Sequence, residues 1–184
     1  MMTIEELHRI KAEREKLVLV RRAGKKKIER LAEDTGYRKQ ILVCGGTGCH
    51  SSGSKKVIAA LEKAIKEKKL EKEVLIVKTG CFGLCALGPI MIVYPEGSFY
   101  SQVTTEGVEE IVEQHIKNGN VVTHLLYQET VDPSGKVKSL NETDFYKKQL
   151  RVALRNCGVI DPENIEEYIA TGGYEALAKV VTSM

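Results

Sequence analysis

The alternation of apolar and polar positions predicts one ordered unit over residues 37–127. Short apolar runs bounded by glycine, proline or charged residues indicate strands, and recurrent apolar positions at helical spacing indicate helices. The predicted elements are, in chain order, strand 40–43, helix 54–69, strand 73–78, strands 90–94 and 99–103 around a turn at 95–98, and helix 105–117. The order is β-α-β-β-β-α, which places the unit in the α/β class.

The segment before this unit is strongly charged. Residues 1–36 are rich in Lys, Arg and Glu, and Thr3 with Glu6 forms a capping box at the start of a predicted helix. We therefore expect a charged helical N-terminal extension. Its basic run, residues 21–27, is interpreted as part of a solvated arm or docking helix, with a phosphate or RNA contact as the alternative.

The segment after the unit divides into a linker and a small helical region. Residues 128–142 are polar and rich in turn-forming residues, which predicts a linker. Helical patterning resumes over residues 143–184. Three helices are predicted there, one capped by Thr143 or Asp144 and running to about Cys157, one from Asp161-Pro162 to Gly172, and one from Tyr174 onwards.

Composition narrows the function classes. The net charge is only +3 and aromatic residues make up 5% of the chain, without Trp, which argues against a nucleic-acid surface. The longest mostly apolar run, residues 84–94, is far shorter than the roughly 20 residues that span a bilayer, so no membrane insertion is expected. The charged start shows no signal peptide, which predicts a cytoplasmic protein. In that reducing compartment, five cysteines indicate metal ligands or redox groups rather than disulfides.

Four of the cysteines form two pairs in the loops after predicted strands. Cys44 and Cys49 are spaced C-x4-C, and Cys81 and Cys85 are spaced C-x3-C. One helix joins the strands that precede these pairs, and such a crossover makes the two strands parallel. Their carboxyl ends therefore lie at the same edge of the sheet, and we expect the four thiols to converge there.

Converging thiolates favour zinc or an iron–sulfur cluster. Structural zinc sites mostly use closer cysteine spacings, whereas a [2Fe-2S] cluster spreads four thiolates over two irons and accommodates wider loops. We therefore predict a [2Fe-2S] cluster. A zinc-stabilised interaction module and a thiol-disulfide redox domain remain alternatives, although the sequence has no C-x-x-C motif of the thioredoxin type.

The motifs ILVCGGTGC and TGCFGLCALGP, in this order, resemble those of the thioredoxin-like [2Fe-2S] ferredoxins. The resemblance implies a thioredoxin-like fold for residues 37–127 and one-electron transfer through a [2Fe-2S] cluster. It also implies that the cluster ligands are Cys44, Cys49, Cys81 and Cys85.

The C-terminal segment carries a second resemblance. Residues 143–184, which contain DFYKKQLRVALRNCGVIDPENIEEYIATGGYEALAKVV, resemble the opening of the NADH-binding flavoprotein subunit of complex I-like enzymes. In NAD(P)-dependent and electron-bifurcating [FeFe] hydrogenases, a ferredoxin domain of this type is fused ahead of that beta subunit. The two resemblances together imply the N-terminal module of such a subunit. They imply as partners the other subunits of a hydrogenase or dehydrogenase complex and a ferredoxin, with no nucleic acid.

The same resemblance implies which cofactors lie outside this chain. FMN, NAD(P) and a [4Fe-4S] cluster belong to the parent full-length subunit, whose nucleotide loop follows the segment in which this sequence ends at Met184. We therefore expect a truncated flavoprotein segment without a complete FMN or NADH site, and no residue is predicted to be catalytic. Gly172-Gly173 is interpreted as a helix stop because no glycine-rich nucleotide motif follows a strand there.

Three further features have a structural and a functional interpretation. Cys157 is predicted to be a buried structural thiol in the last turn of a helix. His50 is interpreted as a surface loop residue, with a hydrogen bond to the cluster as the alternative. Lys55 and Lys56 are interpreted as a solvated helix face, with docking of an acidic partner as the alternative.

Overall fold

A computed structural model of the chain describes residues 3–22, 35–131 and 140–183. Its regular elements are, in chain order, helix α1 (Ile4–Arg22), strand β1 (Lys39–Cys44), helices α2 (Thr47–Ser51) and α3 (Ser54–Glu67), strands β2 (Val74–Thr79), β3 (Met91–Tyr94) and β4 (Ser98–Tyr100), helix α4 (Thr105–Glu110) with a π-helical continuation (Ile111–Lys117), and helices α5 (Asp144–Lys147), α6 (Ile165–Ala170) and α7 (Glu175–Ser183). The predicted β-α-β-β-β-α order is confirmed, with the short α2 as an addition.

The strands form one mixed sheet in the order β2-β1-β3-β4. β1 and β2 are parallel, with Cys44 opposite Thr79 at the end of both strands. β3 pairs antiparallel with β1 and with β4. The parallel pair requires a long connection, which α2 and α3 supply, whereas a tight turn suffices between β3 and β4. Both loops that carry cysteines therefore leave the sheet at the same edge.

Helices cover both faces of the sheet, and β1 is consequently buried along its whole length. Successive side chains of a strand point to opposite faces. On one face, Ile41 belongs to an apolar cluster with Leu61 of α3 and the side chains of α4. On the other face, Leu42 belongs to a second cluster with Val20 of α1 and Tyr146 of α5.

The N-terminal helix is a docking helix on the chain's own sheet and not a solvated arm. Leu17, Val18 and Val20 of α1 are buried. Arg21, the first residue of the predicted basic run, is also buried, and its side chain is 0% exposed. The interpretation of that run as a solvated surface is therefore wrong for Arg21, and residues 23–27 lie outside the described residues.

The C-terminal helices are shorter than predicted. α5 ends at Lys147 instead of near Cys157, and residues 148–160 form turns. α6 begins after Asn164, whose side chain accepts a hydrogen bond from Glu166 N (3.0 Å), and not at Asp161-Pro162. Residues 158–160 contact the end of β2 and the loop that follows it. Such tertiary contacts override the helix propensity of residues 148–160. The third predicted helix is confirmed by α7.

The predicted linker is described only at its ends, residues 128–131 and 140–142. Thr130 and Leu140 are buried there, so both ends pack on the rest of the protein. Within the described ranges, no helix combines the length and the apolar character needed to cross a membrane.

Candidate metal centre

The two cysteine loops lie side by side at the edge where β1 and β2 end. A hydrogen bond from Gly45 N to Thr79 O (2.8 Å) joins the two loops directly after the strands. The predicted ligands in these loops are Cys44 at the end of β1, Cys49 in α2, and Cys81 and Cys85 after β2. The structure thus brings together two cysteine pairs that are separated in the sequence by the whole of α3 and β2.

Glycines allow the two loops to interleave. A Cβ atom on Gly46 would lie 3.1 Å from Cys81 Cβ, and one on Gly48 would lie 3.1 Å from Cys85 Sγ. Within the second loop, Cys81 Sγ and Cys85 Sγ are 3.8 Å apart. The backbone of the first loop therefore contacts the cysteine side chains of the second loop, an approach that larger residues would obstruct.

Gly88 closes the site behind the first cysteine pair. A Cβ atom at this position would lie 2.9 Å from Cys49 Sγ and 3.3 Å from the carbonyl oxygen of Cys85. Separations below about 3 Å between a carbon and a sulfur atom lie well inside van der Waals contact, so a side chain at Gly88 would displace the Cys49 thiol. The position of the Cys49 thiol therefore requires glycine at residue 88.

The two cysteine pairs differ in exposure. Cys44 and Cys49 are each 1% exposed, whereas Cys81 and Cys85 lie on the surface. Burial, followed by a hydrogen bond with Cys44, raises the pKa of Cys49 to about 12. A hydrogen bond with Cys81 is the main cause of the raised pKa of Cys85. Because thiols bind metals as thiolates, a metal that binds here displaces protons.

The donor set fits an iron–sulfur centre. All four loop cysteines are free thiols, and Cys81 Sγ lies 3.8 Å from Cys85 Sγ. Nowhere in residues 3–22, 35–131 and 140–183 are three or more His, Cys, Asp or Glu side chains grouped to hold one metal ion. Each of the two loops supplies two cysteines, a donor set that suits a centre with two metal atoms. Gly83 N also donates a hydrogen bond to Cys81 Sγ (3.2 Å), a contact that stabilises charge on a metal-bound sulfur.

The remaining candidate residues take surface or peripheral positions. His50 is exposed on α2, and Lys55 and Lys56 are exposed at the start of α3. Cys157 is half-buried in a turn, so its predicted position inside a helix is wrong. Its sulfur lies 4.0 Å from where a Cβ atom on Gly80 would be, next to the second cysteine loop.

The C-terminal segment packs against Phe82 in the second cysteine loop, a contact that the sequence pattern does not predict. Tyr146 donates a hydrogen bond through its hydroxyl to the carbonyl oxygen of Phe82, which lies between the two cysteines of that loop. Thr79 Oγ1 donates to the carbonyl oxygen of Ile160 (2.8 Å). Gly158, at φ +75°, packs so closely that a Cβ atom there would lie 2.5 Å from Phe82 Cδ1. The sequence pattern suggested glycine at this position only as the end of a helix. The positive φ and the close packing on Phe82 give two further reasons for glycine there.

A buried arginine connects the N-terminal helix, the sheet and the C-terminal segment. Arg21 donates through Nε to Gln40 Oε1 of β1 (2.6 Å) and through Nη1 to the carbonyl oxygen of Val159 (2.9 Å). Its guanidinium also forms a bidentate ion pair with Glu167 of α6, at 2.7 and 2.9 Å. Both side chains are almost completely buried, so this pair joins three parts of the chain in the protein interior.

Comparison with known proteins identifies the same region. A family model described as thioredoxin-like [2Fe-2S] ferredoxin matches residues 32–116. A 2Fe-2S ferredoxin of Clostridium pasteurianum is 47% identical over 77 residues, which are 42% of this chain and 76% of that protein. A 2Fe-2S ferredoxin of Aquifex aeolicus is 40% identical over 86 residues, which are 46% of this chain and 78% of that protein.

A further match is short. The NADP-reducing hydrogenase subunit HndC of Solidesulfovibrio fructosivorans is 72% identical over 36 residues, which are 20% of this chain and 7% of that subunit. The ferredoxin matches, by contrast, cover about three quarters of each relative. The chain belongs to the thioredoxin-like [2Fe-2S] ferredoxins, and its cofactor is accordingly a [2Fe-2S] cluster that carries electrons.

Proposed function

We propose that Cys44, Cys49, Cys81 and Cys85 ligate the [2Fe-2S] cluster. The observation that carries this proposal is that four free thiols lie in two adjacent loops at one edge of the sheet. The interleaved glycines support it because they let the backbone of the first loop approach the cysteine side chains of the second loop. When bound, the cluster supplies a one-electron redox couple whose potential depends on hydrogen bonds and solvent exposure.

The protein gives the two thiol pairs different roles. Cys44 and Cys49 are buried, so they hold their side of the centre away from water. Cys81 and Cys85 are exposed, so their loop is the side that a redox partner can approach. The hydrogen bond from Gly83 N to Cys81 Sγ stabilises negative charge on that sulfur and thereby favours the reduced form.

We further propose that this ferredoxin domain is the N-terminal module of an NAD(P)-dependent hydrogenase or complex I-like subunit. Two observations support this context: the short match to HndC at 72% identity, and the resemblance of residues 143–184 to the opening of a flavoprotein subunit. In this proposal, residues 37–127 are the ferredoxin domain and residues 128–142 a linker. FMN, NAD(P) and a [4Fe-4S] cluster belong to the parent subunit, and the partners are the other subunits of its complex.

The packing of the C-terminal segment is consistent with that arrangement. Tyr146 contacts the carbonyl oxygen of Phe82 inside the second cysteine loop, and Arg21 joins Glu167 to the sheet. The ferredoxin domain and the segment that follows it therefore pack as one unit. In a larger subunit, such packing would hold the cluster at a constant position relative to the next redox centre.

Anaerobic purification followed by iron and sulfide analysis tests the proposed centre. We expect about two iron and two sulfide per chain, visible absorbance in the oxidised protein, and an electron paramagnetic resonance signal after one-electron reduction. Stoichiometric zinc without visible absorbance would replace this proposal with the zinc-stabilised module. A titratable dithiol without metal would replace it with the thiol-disulfide domain.

Substitution of Gly88 by alanine tests how tightly the protein encloses the buried cysteine pair. The new methyl group would meet Cys49 Sγ at 2.9 Å, and such overpacking costs about 1–3 kcal/mol. We expect the Gly88→Ala protein to lose its visible absorbance faster in air. Gly107→Ala is the matched control. A Cβ atom at Gly107 would lie 3.5 Å from its nearest neighbours, which is ordinary van der Waals contact. Equal rates of bleaching in the two variants would show that Gly88 does not restrict the site.

A further inference from the structure

A cleft lined by arginines opens beside the second cysteine loop. Its volume is about 300 Å³. It is lined by Arg21 and Arg22 at the end of α1 and by Arg151 and Arg155 from the turns after α5. Phe82 contributes an apolar wall. We call this feature the arginine cleft.

Among the residues that the structure describes, three of the four arginines in the cleft have no acidic partner. Arg21 is already engaged by Glu167. Within the described residues, neither Arg22, Arg151 nor Arg155 forms an ion pair with an Asp or Glu side chain, and no carboxylate lines the cleft. Counting the described side chains alone, the cleft therefore concentrates three uncompensated positive charges in a small volume.

The contacts of these arginines hold them in place without neutralising them. Arg22 donates a hydrogen bond to Asn156 Oδ1. Arg151 donates to the carbonyl oxygen of Cys157 (3.0 Å), and its guanidinium carbon lies 5.0 Å from the centre of the Tyr146 ring. Each of these contacts leaves further N–H groups of the guanidinium unused, since a guanidinium has five donors.

The positive charges also act on one another. Burial, together with the nearby charge of Arg155, lowers the pKa of Arg22. Like charges that share a partly desolvated cleft repel each other, and a bound anion removes this repulsion. Guanidinium groups match the oxygen geometry of phosphate through paired hydrogen bonds.

We propose that the arginine cleft binds a phosphate group, either as free phosphate or as the charged end of a phosphorylated small molecule. Three arginines that line one cleft suit a dianion. The volume lies at the lower limit of small-molecule pockets, which matches one phosphate group with a small body attached. Phe82 and the neighbouring Leu140 and Val159 provide apolar surface for that body.

The site is independent of the proposed cluster ligands, although it lies next to them. Phe82, which lines the cleft, directly follows Cys81 in the sequence. None of the cleft residues is a proposed ligand. Failure of the cluster assignment would leave the cleft intact, and absence of phosphate binding would leave the cluster assignment intact.

Isothermal titration calorimetry of the full chain at low ionic strength tests the proposal. The titrants are inorganic phosphate and AMP, with adenosine as the uncharged comparison. We expect saturable binding of one phosphate group per chain and no binding of adenosine. Arg155→Gln, which removes an exposed side chain, is expected to weaken binding by about tenfold to a hundredfold, the effect of losing a charge-assisted hydrogen bond.

The matched control is Arg9→Gln, an equal change of charge on the exposed face of α1. We expect its affinity for phosphate to equal that of the unmodified protein. Tighter binding of AMP than of phosphate would identify a phosphorylated molecule as the ligand, and equal affinities would identify the phosphate group alone. The proposal is overturned if neither titrant binds saturably, if adenosine binds as well as AMP, or if Arg9→Gln weakens binding as much as Arg155→Gln.

Discussion

Serine in place of Cys49 is expected to abolish the [2Fe-2S] cluster. Cys49 is 1% exposed, and its sulfur is enclosed by Gly88 and paired with Cys44. A shorter, harder oxygen ligand at a buried position neither reaches the same point nor suits iron as thiolate does. The measurement is iron and sulfide content after anaerobic purification, together with visible absorbance. We expect both to fall close to zero.

The exposed pair should respond less severely than the buried pair. Cys81 and Cys85 are exposed, so a serine oxygen at either position stays in contact with solvent. Cys81→Ser and Cys85→Ser proteins are therefore expected to retain part of the cluster but to lose it faster in air. This gradient follows from burial, because all four residues are proposed to have the same chemical role.

Cys157→Ser is the matched control for these variants. Its sulfur lies next to the second cysteine loop, near Gly80, but it belongs to neither thiol pair. We expect full iron content and an unchanged spectrum. Loss of the cluster in Cys157→Ser with retention in Cys49→Ser would contradict the ligand assignment.

Replacement of Arg21 by methionine is expected to lower the free energy of unfolding by about 3–5 kcal/mol, the cost of breaking a buried ion pair from one side. Glu167 would remain as a buried carboxylate without its bidentate partner. Gln40 Oε1 and the carbonyl oxygen of Val159 would each lose a donor as well. Urea unfolding followed by circular dichroism measures the change.

Two comparisons separate the buried ion pair from a general effect of charge. Arg14→Met removes an arginine that is 42% exposed and pairs with Glu166 of the same helix α6, and exposed pairs contribute about 0–1 kcal/mol. The double variant Arg21→Met with Glu167→Leu should be more stable than Arg21→Met alone, because no buried charge is left unpaired. Equal losses in the Arg14 and Arg21 variants would contradict this explanation.

Most of the ferredoxin domain could be predicted from the sequence. Apolar runs and helical spacing are local signals, so strands near residues 40–43 and 73–78 and the helix between them were expected within one or two positions. The crossover rule then placed the ends of both strands at one edge of the sheet. The convergence of Cys44 and Cys49 with Cys81 and Cys85 follows from that rule alone.

The flanking segments could not be predicted in the same way. The pattern around Arg21 is that of an exposed, charged helix, because nothing local indicates a carboxylate 146 residues further along the chain. Residues 148–160 have helical patterning but follow the surface of the second cysteine loop. Gly158 against Phe82 and Tyr146 against the Phe82 carbonyl are contacts between distant parts of the chain, which no short window of sequence contains.

The sequence by itself determined the order of the elements, because the spacing of apolar residues is a local signal. It also determined the class of cofactor, through the chemistry of cysteine ligands, and the edge of the sheet at which the cysteines gather, because a helical crossover makes the two strands parallel. Only the tertiary structure decided which cysteine pair is buried, that Arg21 joins both flanking segments to the sheet, and that three arginines with no acidic partner among the described residues line one cleft. These features depend on which surfaces exclude water when distant segments pack, and that is a property of the folded chain as a whole.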